Sequence, residues 1–389
     1  MARSPLRAGA GMNVRLGSLE APALESIGGD LRVNKNSDFE DVSLDSLKEV
    51  GGSFAIQNNR RLTYLVSAAL KSTGGDLRVN ENSDLEDVFL DSLKEVGGNF
   101  TVQNNGCLTY LEAPALESIG GDLRVNENSD LKDVSLDSLK EVGGNFAVQN
   151  NKRLTYLASA ALESTGGDFW LIGNFGDVRG TRTGLRSVST DSLKKSVTVA
   201  AVASLGGILN ITNNPSLESF PLQSLSSVGG GLNVTSHWHF ESLSVDRLSS
   251  LNDPLTVREN DALTNFRISA TGLTTVNGSV SMSGNSQLSF LSLQAPNSTR
   301  GFSVISNSAL TDLELTSLMS VNGSFVLQEN GNLRNVSIGS VSSVEGDFVV
   351  RGGTALEIPV ASLFCASGVG LESEIETAEV YRQRQRHRP

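Results

Sequence analysis

Cysteine is nearly absent from this chain. Only Cys107 and Cys365 occur in 389 residues. Stacked at the repeat period described below, they would lie roughly 50 Å apart at ~4.8 Å per turn, far outside disulfide reach. No disulfide framework holds the fold, which must therefore rest on packing and hydrogen bonds. Aromatic residues make up 5% of the chain, which suits thin layers with no room for large rings. Basic residues are outnumbered, 31 Lys and Arg against 43 Asp and Glu, for a net charge of −12. That balance argues against a nucleic-acid partner. Long apolar runs are missing too: the longest, Val197 to Leu209, has 13 residues and holds Gly206 and Gly207, too short to span a bilayer. The opening MARSPLRAGAGMNV has no apolar segment of the kind that marks a secretory leader. Neither GxGxxG, a phosphate-binding Walker pattern nor a DxDxDG calcium loop is present.

What the chain does have is a period. Glycine pairs begin at Gly28, Gly51, Gly74, Gly97, Gly120, Gly143 and Gly166, each 23 residues after the last. Alternate copies match better, so the unit is 46 residues in two related halves, as in 74–119. A fixed period of this size means stacked supersecondary units. Within the turn starting at Gly74 the apolar positions are Leu77, Val79, Leu85, Val88, Leu90, Leu93 and Val96. In the next they are Phe100, Val102, Leu108, Leu111, Leu116 and Ile119. Leu77 and Val79 alternate with polar residues, which predicts a strand with one buried face. The three-residue spacing from Leu90 to Val96 predicts a tight or partly 3₁₀ turn, and nothing is long enough for a crossover helix. One turn cannot bury enough to offset the entropy of ordering it, so the turns must stack and share a core.

The expected fold is a β-solenoid of about 14 coils of 23 residues, with little regular helix. Residues 1–27 form an incomplete N-terminal coil, and 28–165 six near-identical coils. Residues 166–205 form one stretched coil, and 206–368 diverged coils of the same solenoid. Residues 369–389 are a charged tail. In the stretched coil, Leu185, Val188 and Leu193 keep the usual mutual spacing, which predicts one insertion after Asn174 and another after Leu193.

Eight residues after each register glycine stands an asparagine: Asn36, Asn59, Asn82, Asn105, Asn128, Asn151 and Asn174, continuing at Asn214, Asn260, Asn285, Asn307 and Asn330. His237 and Gly353 interrupt the series. The position follows the strand, where the chain turns, so a buried asparagine ladder serving open backbone groups is expected.

The pattern L-x-x-[IV]-G-G-x-[LF]-x-[VI]-x-x-N-x-x-L, seen at 115–131 and 317–333, resembles the receptor L-domain family. That family forms a right-handed solenoid related to leucine-rich repeats, and the resemblance covers about 28–365. It is nearest to the fungal cell-wall surface proteins that carry such coils and a lipid anchor. The resemblance implies an extracellular, cell-surface protein without enzymatic activity. The paired cysteines that usually cap such domains, a Ser/Thr-rich stalk and an apolar C-terminal tail are absent.

No catalytic residue, metal ligand or cofactor is assigned. Acidic residues recur by repeat, and identical coils give identical surroundings, whereas an acid–base pair needs unlike ones. His237 and His239, in TSHWHF at 235–240, would share a strand face but lack an evident third ligand. The candidate binding surface is the exposed sheet face carrying Asp30, Arg32 and Asn34, then Asp76, Arg78 and Asn80, then Asp122, Arg124 and Asn126. The expected partner is a protein or polysaccharide, with the chain a monomer by default. An intracellular interaction scaffold of leucine-rich-repeat type is the alternative. Of seven N-x-S/T sequons, about a chance number for this composition, Asn297 and Asn335 are the candidate glycosylation acceptors in a secreted chain.

Overall fold

The computed structural model describes residues 17–174, 196–198, 201–220, 222–268, 273 and 275–352. Leu185, Val188, Leu193, Gly353, Cys365 and the charged tail lie outside them. The chain divides into two compact units, one of residues 1–207 with 213–216, the other of 208–212 with the rest. Both are parallel β-solenoids, with about 13 turns of roughly 23 residues between them. Among the described residues there is no helix.

In the first unit each turn has three short strands where the sequence predicts one. In the turn from Gly74 they are Leu77–Asn80, Asp87–Phe89 and Glu95–Val96. The four-residue strand alternates as expected, with Leu77 and Val79 buried. A tight turn closed by Leu93 N–H to Leu90 C=O (3.1 Å) links the other two, as the three-residue spacing predicts. From Leu31 to Ile172 the strands pair in parallel with their copies 23 residues on, as Leu77 does with Phe100 and Val88 with Leu111. The three-residue strands form an eight-stranded sheet from Ser18–Glu20 to Ser196–Thr198.

All thirteen apolar positions named for the turns from Gly74 and Gly97 are at most 1% exposed. Phe54, Phe100 and Phe146 sit opposite Leu31, Leu77 and Leu123 in alternate rungs, so bulk alternates through the interior and the best repeat is two turns. The glycine pairs answer to close approach between turns. A Cβ on Gly74 would lie 2.2 Å from the carbonyl oxygen of Gly51.

The stretched coil differs from the expectation. Val197 pairs with Leu157, and Ser196 with Tyr156; the spacing there is 40 residues instead of 23. Asn174 likewise bonds Asn214 at a separation of 40. The whole excess therefore falls between Asn174 and Ser196, as one insertion. Val197 and Val202, both 5% exposed, hold the core positions assigned in sequence to Val188 and Leu193.

In the second unit the three-residue strands become a five-stranded sheet from Ser242–Ser244 to Asn335–Ser337. Two of its turns run strands together, giving Thr275–Ser283 and Ser298–Ile305.

Candidate binding faces

The asparagine ladder is interior. Asn59, Asn82, Asn105, Asn128, Asn151, Asn174, Asn214, Asn260, Asn285 and Asn307 are fully buried, and Asn330 is 2% exposed. Asn36, at the first rung, is half-buried. Each mid-ladder side chain serves two neighbouring turns. Oδ1 of Asn105 accepts from the backbone N–H of Asn82 (3.0 Å) and from its Nδ2 (3.2 Å). Nδ2 of Asn105 donates to the Val79 carbonyl (2.8 Å) and to Oδ1 of Asn128 (3.2 Å). Both donors and both acceptor sites of the amide are used, which is what a buried amide requires.

The residue just before each of these asparagines has a left-handed backbone, whatever its type: Lys35 (φ 61°), Glu81 (φ 58°), Glu127 (φ 58°), Glu259 (φ 55°). Such a conformation costs about 1–2 kcal/mol for a residue with a Cβ. It turns the chain out of the strand while its own N–H still bonds the next turn, as Glu81 N–H does to Gln103 C=O (2.9 Å).

His237 stands in for an asparagine at one rung. Its Nε2 lies 3.1 Å from the Ile211 carbonyl, the partner an asparagine would take, which requires the Nε2–H tautomer. Oδ1 of the next rung, Asn260, is buried with no hydrogen-bond donor. Ser236, in the left-handed region at φ 63°, ends the alternation. His239 lies beyond the strand Leu232–His237, so the two histidines do not share a strand face. Among the described residues no three His, Cys, Asp or Glu side chains are grouped to hold a metal ion. Nor is there among them a helix long and apolar enough to cross a membrane.

The predicted binding face proves to be partly closed on itself. Asp30, Asp76 and Asp122 alternate with Ser53, Asn99 and Asn145 in one column that runs on to Asp168. Asp76 Oδ1 accepts from Asn99 N–H (2.7 Å), and Asn99 Oδ1 accepts from Asp122 N–H (2.8 Å). Asp122 Oδ1 accepts from Asn145 N–H, and Asn145 Oδ1 from Asp168 N–H. This is a second side-chain ladder, at the start of the strand. The other carboxylate oxygens pair with arginines of the same strand: Arg32 with Asp30 at 2.7 Å, Arg124 with Asp122 at 2.5 Å, and Arg78 with Asp76.

Ala55 and Thr101 lie between the arginines, outward in the pleat yet only 4% and 6% exposed. Ala55 is flanked by Arg32 and Arg78, and Thr101 by Arg78 and Arg124, so the arginine stems cover them. The third column alternates Asn34, Gln57, Asn80, Gln103, Asn126 and Gln149. Asn80 Oδ1 accepts from Gln103 N–H (3.1 Å). The face that remains is an amide column beside internally paired arginines.

The opposite-facing residues of the three-residue strands escaped the sequence reading. Tyr64, Tyr110 and Tyr156 are 45%, 37% and 40% exposed. They share one column with Asp41, Asp87 and Asp133 in strict alternation. The signal was present in the thrice-repeated L-T-Y-L, where the tyrosine sits beside a core leucine. The Tyr64 hydroxyl donates to Glu86 (3.1 Å), and that bond to a carboxylate raises its pKa. Asp87 is raised by burial and then by the neighbouring Glu86 charge. Cys107 is exposed and unpaired, its thiol raised first by partial burial and then by Asp130, Asp84 and Glu86.

Among the sequons, Asn297 and Asn335 are both exposed. The Asn335 amide donates to Asp312 (2.6 Å). Asn99 is committed to the column above. Asn210 and Asn233 each accept from the threonine of their own sequon.

The class of protein is thus a parallel β-solenoid whose interior is spent on stability and whose outer columns repeat at a fixed pitch. The chain matches no protein-family model and no curated protein sequence.

Proposed function

We propose that this is a non-enzymatic repeat protein of the cell surface or cell wall, of receptor L-domain type, that binds or organises protein or polysaccharide partners through its extended sheet faces. The observation that carries the reading is the division of labour in each turn. Among the described residues the ladder asparagines are committed to neighbouring turns, and the outward columns carry the exposed groups. Those columns repeat the same print at every second rung, which suits an extended partner better than a small molecule. Asn297 and Asn335, the two candidate acceptors, are exposed, as glycosylation of a secreted chain would need. Cys107, exposed and unpaired, favours the second reading, an intracellular scaffold in a reducing compartment.

Localisation separates the two. Tagged in its own cells, the chain is expected in the wall or surface fraction, with a mobility shift on deglycosylation that is lost when Asn297→Gln and Asn335→Gln are combined. Recovery solely from the cytosol, with no glycan, would overturn the first reading.

A further inference from the structure

Building on the proposal that the faces bind a partner, we infer that the tyrosine–aspartate column of the first unit binds a neutral β-1,4-linked glycan chain lying along the stack. Tyr64, Tyr110 and Tyr156 occupy matching positions on parallel strands in unbroken register. The intervening Leu65, Val88, Leu111, Val134 and Leu157 are buried, so the tyrosines and Asp41, Asp87 and Asp133 all face outward. Adjacent strands are ~4.8 Å apart, so the rings recur about every 9.6 Å. That is close to the advance of an extended β-1,4 glycan over two sugars. In such a chain successive rings are flipped by half a turn, so equivalent faces recur at every second sugar. A tyrosine beneath each odd sugar would offer its ring to the apolar sugar face, and an aspartate beneath each even sugar would accept from hydroxyls.

Three further observations select this occupant. The carboxylates between the rings disfavour a polyanion. They also break the rings into isolated apolar spots, where a protein interface needs a contiguous patch. And rings 37–45% exposed do little for the core, so their removal leaves the fold intact. An exposed phenol, apolar on its faces and polar at its tip, is the side chain suited to a ligand of that dual character.

The test uses the full chain, titrated with β-1,4 oligomers of glucose and of N-acetylglucosamine and with α-1,4 glucose oligomers. Affinity for one β-1,4 series should rise with length until the oligomer spans all three tyrosines, about five sugars by the pitch above. Tyr110→Ala should weaken it about tenfold, Tyr110→Phe should retain it, and the triple alanine variant should abolish it with an unchanged circular dichroism spectrum. Independently of any variant, saturation-transfer NMR on the native chain should show magnetisation passing from tyrosine ring protons to the sugar. Equal affinity for α-1,4 oligomers, binding to none of the oligomers, or capture of a protein but no glycan would overturn the inference. Glycan binding that survives the triple variant but is lost in Arg78→Ala with Arg124→Ala would overturn the column while leaving the broader proposal standing on the other face.

Discussion

Replacing Asn105 by leucine tests the interior ladder at its most demanding point. The change keeps the number and branching of side-chain heavy atoms but removes four hydrogen bonds. The Asn82 backbone N–H loses its acceptor, one N–H of the Asn82 amide loses its partner, and the Val79 carbonyl loses a donor. Oδ1 of Asn128 still accepts from the backbone N–H of residue 105. Three buried groups are thus left short, each at about 1–3 kcal/mol, with neighbouring losses not adding in full. A net loss of about 3–6 kcal/mol follows, partly offset by the gain from burying leucine. In a stack whose turns contact only their neighbours the damage is local. Native-state hydrogen exchange is therefore the assay. The Asn82 amide should lose protection by several orders of magnitude, while amides four or more turns away change little. Asn36→Leu is the control, since that side chain is half-buried and donates to Asn59 of the next turn and to the Asn34 carbonyl of its own. Its cost should stay under about 1 kcal/mol. Unaltered protection at Asn82, or equal effects of the two substitutions, would refute the account of the ladder as the fastening between turns.

Other substitutions probe other columns. His237→Asn supplies donors to the orphaned Oδ1 of Asn260 and should stabilise the second unit by about 1 kcal/mol, seen as a higher urea midpoint; a lower midpoint would mean that the imidazole's contact with Phe240, ring centroids 5.4 Å apart, outweighs the amide. Gly74→Ala drives a methyl to 2.2 Å from the Gly51 oxygen and should cost about 1–3 kcal/mol, whereas Gly106→Ala meets nothing within 4 Å and should be neutral or stabilise by about 0.4–1 kcal/mol; thermal unfolding distinguishes them. Asp87 has its folded pKa raised by burial and by Glu86, so its ionised form is penalised above that pKa and the penalty is relieved as pH falls through it. Asp87→Asn should accordingly stabilise the chain at neutral pH, and the gain should vanish in acid; a gain that persists below pH 3 would contradict this assignment. Asp312 has the opposite sign: bonds from Thr311 and then Asn335 lower its pKa, so its contribution is present above the unfolded carboxylate pKa and is lost as pH falls through the folded value. In Asn335→Asp that dependence should weaken, as read from unfolding midpoints in a pH series.

Much of this protein was legible as text, because a strict period names each turn's neighbours. Once Gly51, Gly74 and Gly97 are aligned, Leu77 must lie against Phe54 and Phe100, and alternation decides which side is buried. The ladder was legible for the same reason, since a recurrent polar residue at a turn beside core positions has only its copies to bond. The three strands per turn were less so, because two- and three-residue strands carry too few residues to show a period.

The insertion was misplaced because Leu185, Val188 and Leu193 imitate the core spacing. Only pairing with Tyr156–Ala158 identifies Ser196–Thr198 as the strand. Likewise the aspartates read as a free charged print. Whether a carboxylate faces solvent or the next turn's N–H depends on the rise and offset between rungs, which no single turn encodes. Sequence alone determined the period, the buried set and the order of stacking. The left-handed corners, the inward commitment of Asp76 and Asp122, and the alignment of three tyrosines on one outer column were decided by the packed stack, because each is a relation between turns rather than a property of one.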